Sequence, residues 1–367
     1  MKKMLLLVRW IVGLLFIFSG LIKVNDPIGL SYKMQEFFEV WGMHFLNDYA
    51  LFFSIAMNSF EVLAGVAVII GWRIKLFSWL LLLLIVFFTF LTGYAHYSGK
   101  IKTCGCFGDC LPLTAAQSFY KDLFLLLLIL ILVGFQQYIK SALSNIWAFS
   151  LIALTLVLST GAQFYVLKHL PWVDCLPYKV GNNILQKMEM PAGATLDSMQ
   201  IVFEYQKDGK TIEFDQENFP ENFDDSYIFI SRKDKLVKKG NGLKPAIVDF
   251  SLKTLDGVDT TQEILATKGK YVLILAKDAS ELDLWKKKVS DIISDYQFSE
   301  KVGDRIIFVS AEGALIKAAF PNHLVLNCDA TVLKTAARVN PTFLFMEGAS
   351  IQKKLSYLDV ESLNKHY

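Results

Sequence analysis

Thr103-Cys104-Gly105-Cys106-Phe107-Gly108-Asp109-Cys110 carries three of the five cysteines of this chain inside one polar break. The break separates two apolar runs, 76–97 and 121–138, each close to the ~20 residues a helix needs to cross a bilayer. Outward from this loop the chain divides in two. Apolar runs fill the stretch before Lys168, and charge becomes dense after it.

Three further runs, 4–22, 49–70 and 146–167, have the length and composition of spans. The first follows Lys2 and Lys3 but is longer than a signal h-region and lacks a small-residue cleavage site, so it reads as a spanning helix. The expected fold is therefore a membrane-embedded all-α bundle over 1–168. A β-rich connector over 169–243 and an α/β domain over 244–367 follow. The 53% hydrophobic content and mean hydropathy of +0.39 exclude an ordinary soluble protein of this length. A net charge of +2 carries no nucleic-acid footprint, and five cysteines are too few for a disulfide-dense secreted scaffold.

Five crossings put the termini on opposite sides. Lys2, Lys3, Arg9, Arg73, Lys75 and Lys140 lie on one side, and Lys23, Lys33, Lys100, Lys102 and Lys121 on the other. The compact clusters at the start and at Trp72-Arg73-Ile74-Lys75 favour an N-terminus inside. The expectation is an integral, multi-pass inner-membrane protein with the cysteine loop and the C-terminal domain extracytoplasmic. Between the first two spans, Leu30, Met34, Phe37, Phe38 and Trp41 recur at helical spacing. They describe either an interfacial amphipathic helix or a cap over the bundle.

Beyond Lys168 the period changes. Ile201, Phe203 and Tyr205 alternate with polar residues, Asp208-Gly209 supplies a hairpin turn, and Ile212 and Phe214 resume the alternation. Further on, 271–275, 305–309, 342–346 and 351–355 read as strands, and 282–293 and 331–338 as helices.

Cys104, Cys106 and Cys110 are the candidate catalytic residues. In an oxidising space a Cys-x-Cys pair can bridge, and a short exposed ring of this kind is the exchangeable sort. Lys100 and Lys102 favour the thiolate, and Cys110 is placed to act as an auxiliary thiol. Two alternatives stay open: a structural staple of the loop, or a Cys₃His zinc site with His96. The second has cramped spacing, so no metal site is assigned. Cys175 shares the loop's face and is within reach of it, and Cys328 reads as a partly buried lone thiol. Glu61 lies near the middle of the second span, where a carboxylate is expensive. It is either a proton carrier and contact for a bound small molecule such as a membrane quinone, or a carboxylate bonded to a neighbour such as Asn58 or Gln163. Lys23 and Asp26 read as interfacial anchors.

Ser19-Gly20-Leu21-Ile22-Lys23 followed by Pro27, the Glu61-x-x-x-Gly65 pair and Cys104-Gly105-Cys106-Phe107-Gly108 resemble the DoxX/MauE family of small membrane proteins over roughly residues 1–140. That resemblance implies a four-helix core, with the fifth span an addition. On the MauE side it implies help with disulfide formation in an exported partner, and on the DoxX side quinone-linked oxidation. Val339-Asn340-Pro341-Thr342-Phe343 and Phe345-Met346-Glu347-Gly348 resemble the proline segment and following hairpin turn of thioredoxin-fold domains. Where that family carries Cys-x-x-Cys, this chain has Lys277-Asp278-Ala279-Ser280-Glu281, so the redox pair is not carried over. The expected function is thiol–disulfide exchange between an exported protein client and a membrane acceptor. The alternative is a non-catalytic assembly factor. A small-molecule transporter is disfavoured because Glu61 is the one carboxylate read as deep in a span.

Overall fold

The computed structural model describes residues 2–101, 105–195, 198–215, 218–220, 223–238, 240–295 and 305–361. Two compact units result: residues 1–181 together with 251–367, and residues 182–250.

In the first unit, α1 (Lys2–Asn25), α2 (Pro27–Val40), α3 (Ala50–Ile70), α4 (Ile74–Ser98), α5 (Ala115–Phe135) and α6 (Asn145–His169) build a helical bundle. Five helical segments are long and apolar enough to cross a membrane: Lys3–Asn25, His44–Ile70, Ile74–Ser98, Ala115–Tyr138 and Asn145–His169. The chain is accordingly a multi-pass membrane protein. Its bundle core joins Val12 and Phe16 of α1, Ala64 and Val68 of α3, Leu81 and Ile85 of α4, and Ile129 and Leu132 of α5.

Helix ends follow from local chemistry. Asp26 accepts from Gly29 N at 3.1 Å and caps α2, with Pro27 in the first turn. Thr114 and Gln117 form a reciprocal capping box that starts α5 six residues earlier than the apolar run predicts. At the end of α3, Arg9 donates from Nε to Val68 O at 3.1 Å and from Nη2 to Ile69 O at 2.5 Å. A cation thus meets the negative end of the helix, and Gly71 then leaves it with φ 73°.

Helices α1 and α3 approach closely through glycines. A Cβ on Gly65 would stand 2.7 Å from Gly13 O and 2.8 Å from Ile17 Cγ1, so only glycine fits without parting the helices. Gly65→Ala is expected to cost about 1–3 kcal/mol through overpacking. The measurement is the thermal unfolding midpoint in detergent, and an unchanged midpoint would mean that the two helices separate freely.

The C-terminal part of the same unit is a five-stranded sheet in the order β6-β5-β4-β7-β8, in the chain-wide numbering of the strands. These strands are β4 (Lys270–Ala276), β5 (Ile306–Ser310), β6 (Leu324–Asn327), β7 (Thr342–Glu347) and β8 (Ser350–Ser356). β4 pairs parallel with β5 and antiparallel with β7, while β5–β6 is parallel and β7–β8 antiparallel. Val272 to Ala276 are buried without interruption, as a central strand covered on both faces requires. The helix over Leu282–Ser294 buries Trp285, Val289 and Ile292 in this core. The Asn340–Pro341 peptide is cis.

The second unit contains β1 (Ser198–Lys207), β2 (Lys210–Phe214) and β3 (Ile228–Lys238), in the order β2-β1-β3. Asp208 and Gly209 both take positive φ (52° and 74°), and Lys207 pairs with Lys210 across them. This is the Asp-Gly hairpin that the alternation predicts. Tyr205, Phe214, Phe223 and Tyr227 cluster on the sheet.

Candidate functional site

The site is a cavity of about 540 Å³ inside the bundle, within the range of small-molecule pockets. Its walls are almost wholly apolar, from Leu15, Phe16, Phe60, Leu84 and Phe88 among others. Leu30, Met34, Phe37, Phe38 and Trp41 all line it, so the apolar stripe of α2 faces this space. Besides Lys33, the polar side chains that line it are Ser19, Lys23, Thr92, Cys106, Lys121 and Asp122, which share one end with the cysteine loop.

That end is built from two lysine–carboxylate pairs. Lys23 Nζ lies 2.5 Å from Glu61 Oε1, with side chains 3% and 0% exposed. Lys121 Nζ lies 2.8 Å from Asp122 Oδ1, and Asp122 is fully buried. Thr92 Oγ1 adds a contact of 3.0 Å to Asp122 Oδ2. Each pair offsets charge that the apolar interior would otherwise expel. Each cation also faces a ring: Lys23 is 5.3 Å from the Phe88 centroid and Lys121 is 4.9 Å from that of Phe107.

Ser19 ties the first pair to the cysteine loop. Its hydroxyl lies 3.0 Å from both Glu61 Oε2 and Cys106 O. One proton serves one of these acceptors at a time, so the hydroxyl links a buried carboxylate to the loop backbone. A turn closed by Gly108 N donating to Gly105 O at 3.0 Å holds the loop. Phe107 packs on Phe18 at 5.6 Å.

Among the predicted catalytic residues, Cys106 is a free thiol at the polar end of the cavity. Cys110 is bonded to Cys175, 65 residues further on. Cys104 lies outside the described residues. The zinc alternative needs Cys110, whose sulfur is taken by that bond, and His96 stacks on Phe119 at 6.1 Å. Cys328 is buried and free in the C-terminal part.

Glu61 bonds to Lys23 and Ser19, not to Asn58 or Gln163, which bond each other at 3.0 Å. Lys23 is thus a buried partner, not an interfacial anchor. Asp26 is the acceptor of Arg338 at 2.9 and 3.0 Å. Asp122 corrects the reading of Glu61 as the one deep carboxylate. The signal was present: Ser19 and Lys23 are four apart on one face of α1, and Lys121-Asp122 is a charge pair inside an otherwise apolar helix.

Burial pushes the Cys106 thiol above the ordinary cysteine range, and the Lys121 cation pulls it partly back. The thiolate fraction at neutral pH is correspondingly small. Alkylation of Cys106, read on its own peptide by mass spectrometry, is expected to keep rising past the pH at which an ordinary exposed thiol levels off. A plateau near pH 8 would contradict the buried placement.

Residues 1–135 match the family described as Methylamine utilisation protein MauE. That region holds α1 to α5, and with them the whole cavity and both ion pairs. Residues 199–239 match a domain of unknown function, DUF8463. No curated protein and no solved structure matches the chain.

Proposed function

We propose that the bundle is a membrane-bound thiol–disulfide exchange accessory. In this reading it oxidises the thiols of an exported client and passes the electrons to an acceptor in the cavity. The observation that carries it is the free Cys106 thiol at the polar end of an apolar cavity, between Lys23–Glu61 and Lys121–Asp122. The residues suit a membrane quinone: apolar walls for the ring and tail, and Lys23 and Lys121, each with N–H groups beyond the one facing its carboxylate, as donors for a carbonyl oxygen. When bound, such a group supplies two-electron acceptance. Cys106 is the nucleophilic sulfur, with Cys104 as its partner by sequence. The two lysines stabilise negative charge beside it, and Glu61 and Asp122 hold those lysines in place at the same end. The match to the family named for methylamine utilisation supports placing the client in that process.

The C-terminal sheet is read as a thioredoxin-like domain, because β4 is central between a parallel and an antiparallel neighbour. Lys277-Asp278-Ala279-Ser280-Glu281 follows β4 where that family carries Cys-x-x-Cys, and Lys277 donates to Arg338 O at 2.9 Å. Such a domain positions a partner and does no exchange of its own. On this reading it lies with the loop on the extracytoplasmic face.

Assembly-factor function is the second reading, favoured by one observation: the Cys110–Cys175 bond braces the loop. Trapping free thiols in intact membranes, with and without a reduced dithiol and added quinone, separates the two. Cycling of the Cys106 peptide between free and bonded forms supports exchange, and a state that never changes supports bracing.

A further inference from the structure

Each half-cystine of the Cys110–Cys175 bond is immediately preceded by an aspartate, and each aspartate is gripped by a cation of the C-terminal part. Asp109 Oδ2 accepts from Arg338 Nη2 at 2.8 Å, and Asp174 Oδ2 accepts from Lys354 Nζ at 2.7 Å. Both cations are buried by the contact, at 5% and 4% exposure. The bond joins two segments that share no strand or helix: the loop over 105–110 and the chain following α6.

The two sides are fastened unequally. The Cys175 side is pinned to the end of α1, where Asn25 Nδ2 donates to Val173 O at 2.8 Å and Val173 N donates to Asn25 Oδ1 at 3.1 Å. Lys354 has Asp174 as its ion-pair partner, and losing it would strand a buried charge. Arg338, in contrast, keeps both oxygens of Asp26 whether or not Asp109 stays. Asp109 is also the most exposed of these acids, at 46%. The Cys110 side is therefore the one free to leave. Gly105, Cys106 and Phe107 lie on that same short loop and form part of the cavity wall.

We infer that the Cys110–Cys175 bond is a second redox site, a latch reduced by a dithiol, whose opening lifts loop 105–110 and exposes the polar end of the cavity. Both cysteines are half-buried residues, neither of them shut away in the core, so the bond lies where a thiolate can approach. The reductant's first thiolate attacks one sulfur, forming a mixed disulfide and releasing the other cysteine. Its second thiolate closes the reductant's own disulfide. Two electrons and two protons pass to Cys110 and Cys175, and the bond between them is gone. The inference goes beyond the exchange proposed for Cys106, since it concerns access to that thiol and not its chemistry.

The test uses the full chain in detergent with Cys104→Ser, and fragmentation of the loop peptide separates the label on Cys106 from the label on the newly freed Cys110. Dithiothreitol serves as the dithiol and is removed before a short pulse of maleimide, read peptide by peptide. Reduction of Cys110–Cys175 is expected to speed Cys106 labelling roughly tenfold, as a local opening does. The Cys110→Ser/Cys175→Ser variant should label at the fast rate without dithiothreitol. Amide exchange of β4 and α3, unchanged throughout, certifies that the fold persists. Equal Cys106 labelling with the bond open and closed overturns the inference, and so does a bond that dithiothreitol leaves intact in the folded chain. Neither result depends on whether Cys106 oxidises a client.

Discussion

Cys106→Ser is expected to lower dithiol oxidation by the membrane-embedded chain roughly a hundredfold or more, because the nucleophilic sulfur is lost while its shape is nearly kept. A serine hydroxyl does not ionise in the working range and forms no disulfide, so Cys104 is left on the loop without a partner to bridge to. The substitution should leave the unfolding midpoint close to that of the parent. The Cys106 side chain bonds with Ser118, a contact that a serine hydroxyl can keep, and its carbonyl still meets Ser19. The assay follows loss of free thiol from a reduced test peptide, with quinone supplied. A variant that retains the parent rate would remove Cys106 from the chemistry and leave the assembly-factor reading standing.

The second large effect is on stability. Glu61→Ala is expected to cost about 3–5 kcal/mol, since it leaves Lys23 charged and without its counter-ion in the bundle interior. At 3% exposure Lys23 has no direct route to water. Neutralising both partners, as Lys23→Met with Glu61→Gln, should restore most of the loss, to within about 1 kcal/mol of the parent. Unfolding midpoints of the parent, the two single variants and the double variant supply the cycle. Additive losses would show that the two groups do not act as a pair. If the pair also serves the acceptor, the double variant will be stable and slow, which separates packing from function.

Much of this organisation was legible in the linear chain. Runs of about 20 apolar residues have few alternatives to spanning helices, because backbone polar groups in lipid must bond within their own segment. Alternation around Asp208-Gly209 left little but a hairpin, and the unbroken apolar run at Tyr271–Leu275 announced a covered strand. Glu61 declared itself by its cost at that depth, and the cysteine loop by its density of thiols. Lys23 was harder to see. It sits near a span end, where a lysine can reach water, and only its approach to Glu61 across α1 and α3 makes it a buried partner. Lys121-Asp122 was hidden similarly, because the capping box at Thr114 carries α5 back past it.

The sequence by itself determined the membrane class, the number of spans, the β-rich C-terminal region and the clustering of thiols on one loop. Each of these depends on local period or composition, which neighbours along the chain are enough to set. Only the tertiary structure decided which groups meet. It joined Cys110 to Cys175 and left Cys106 free, set Lys23 against Glu61, and formed an apolar cavity with two lysine–carboxylate pairs on its wall. Such pairings join residues tens to hundreds of positions apart. They follow from how helices approach through small residues such as Gly13 and Gly65, a distance that no single stretch of sequence encodes.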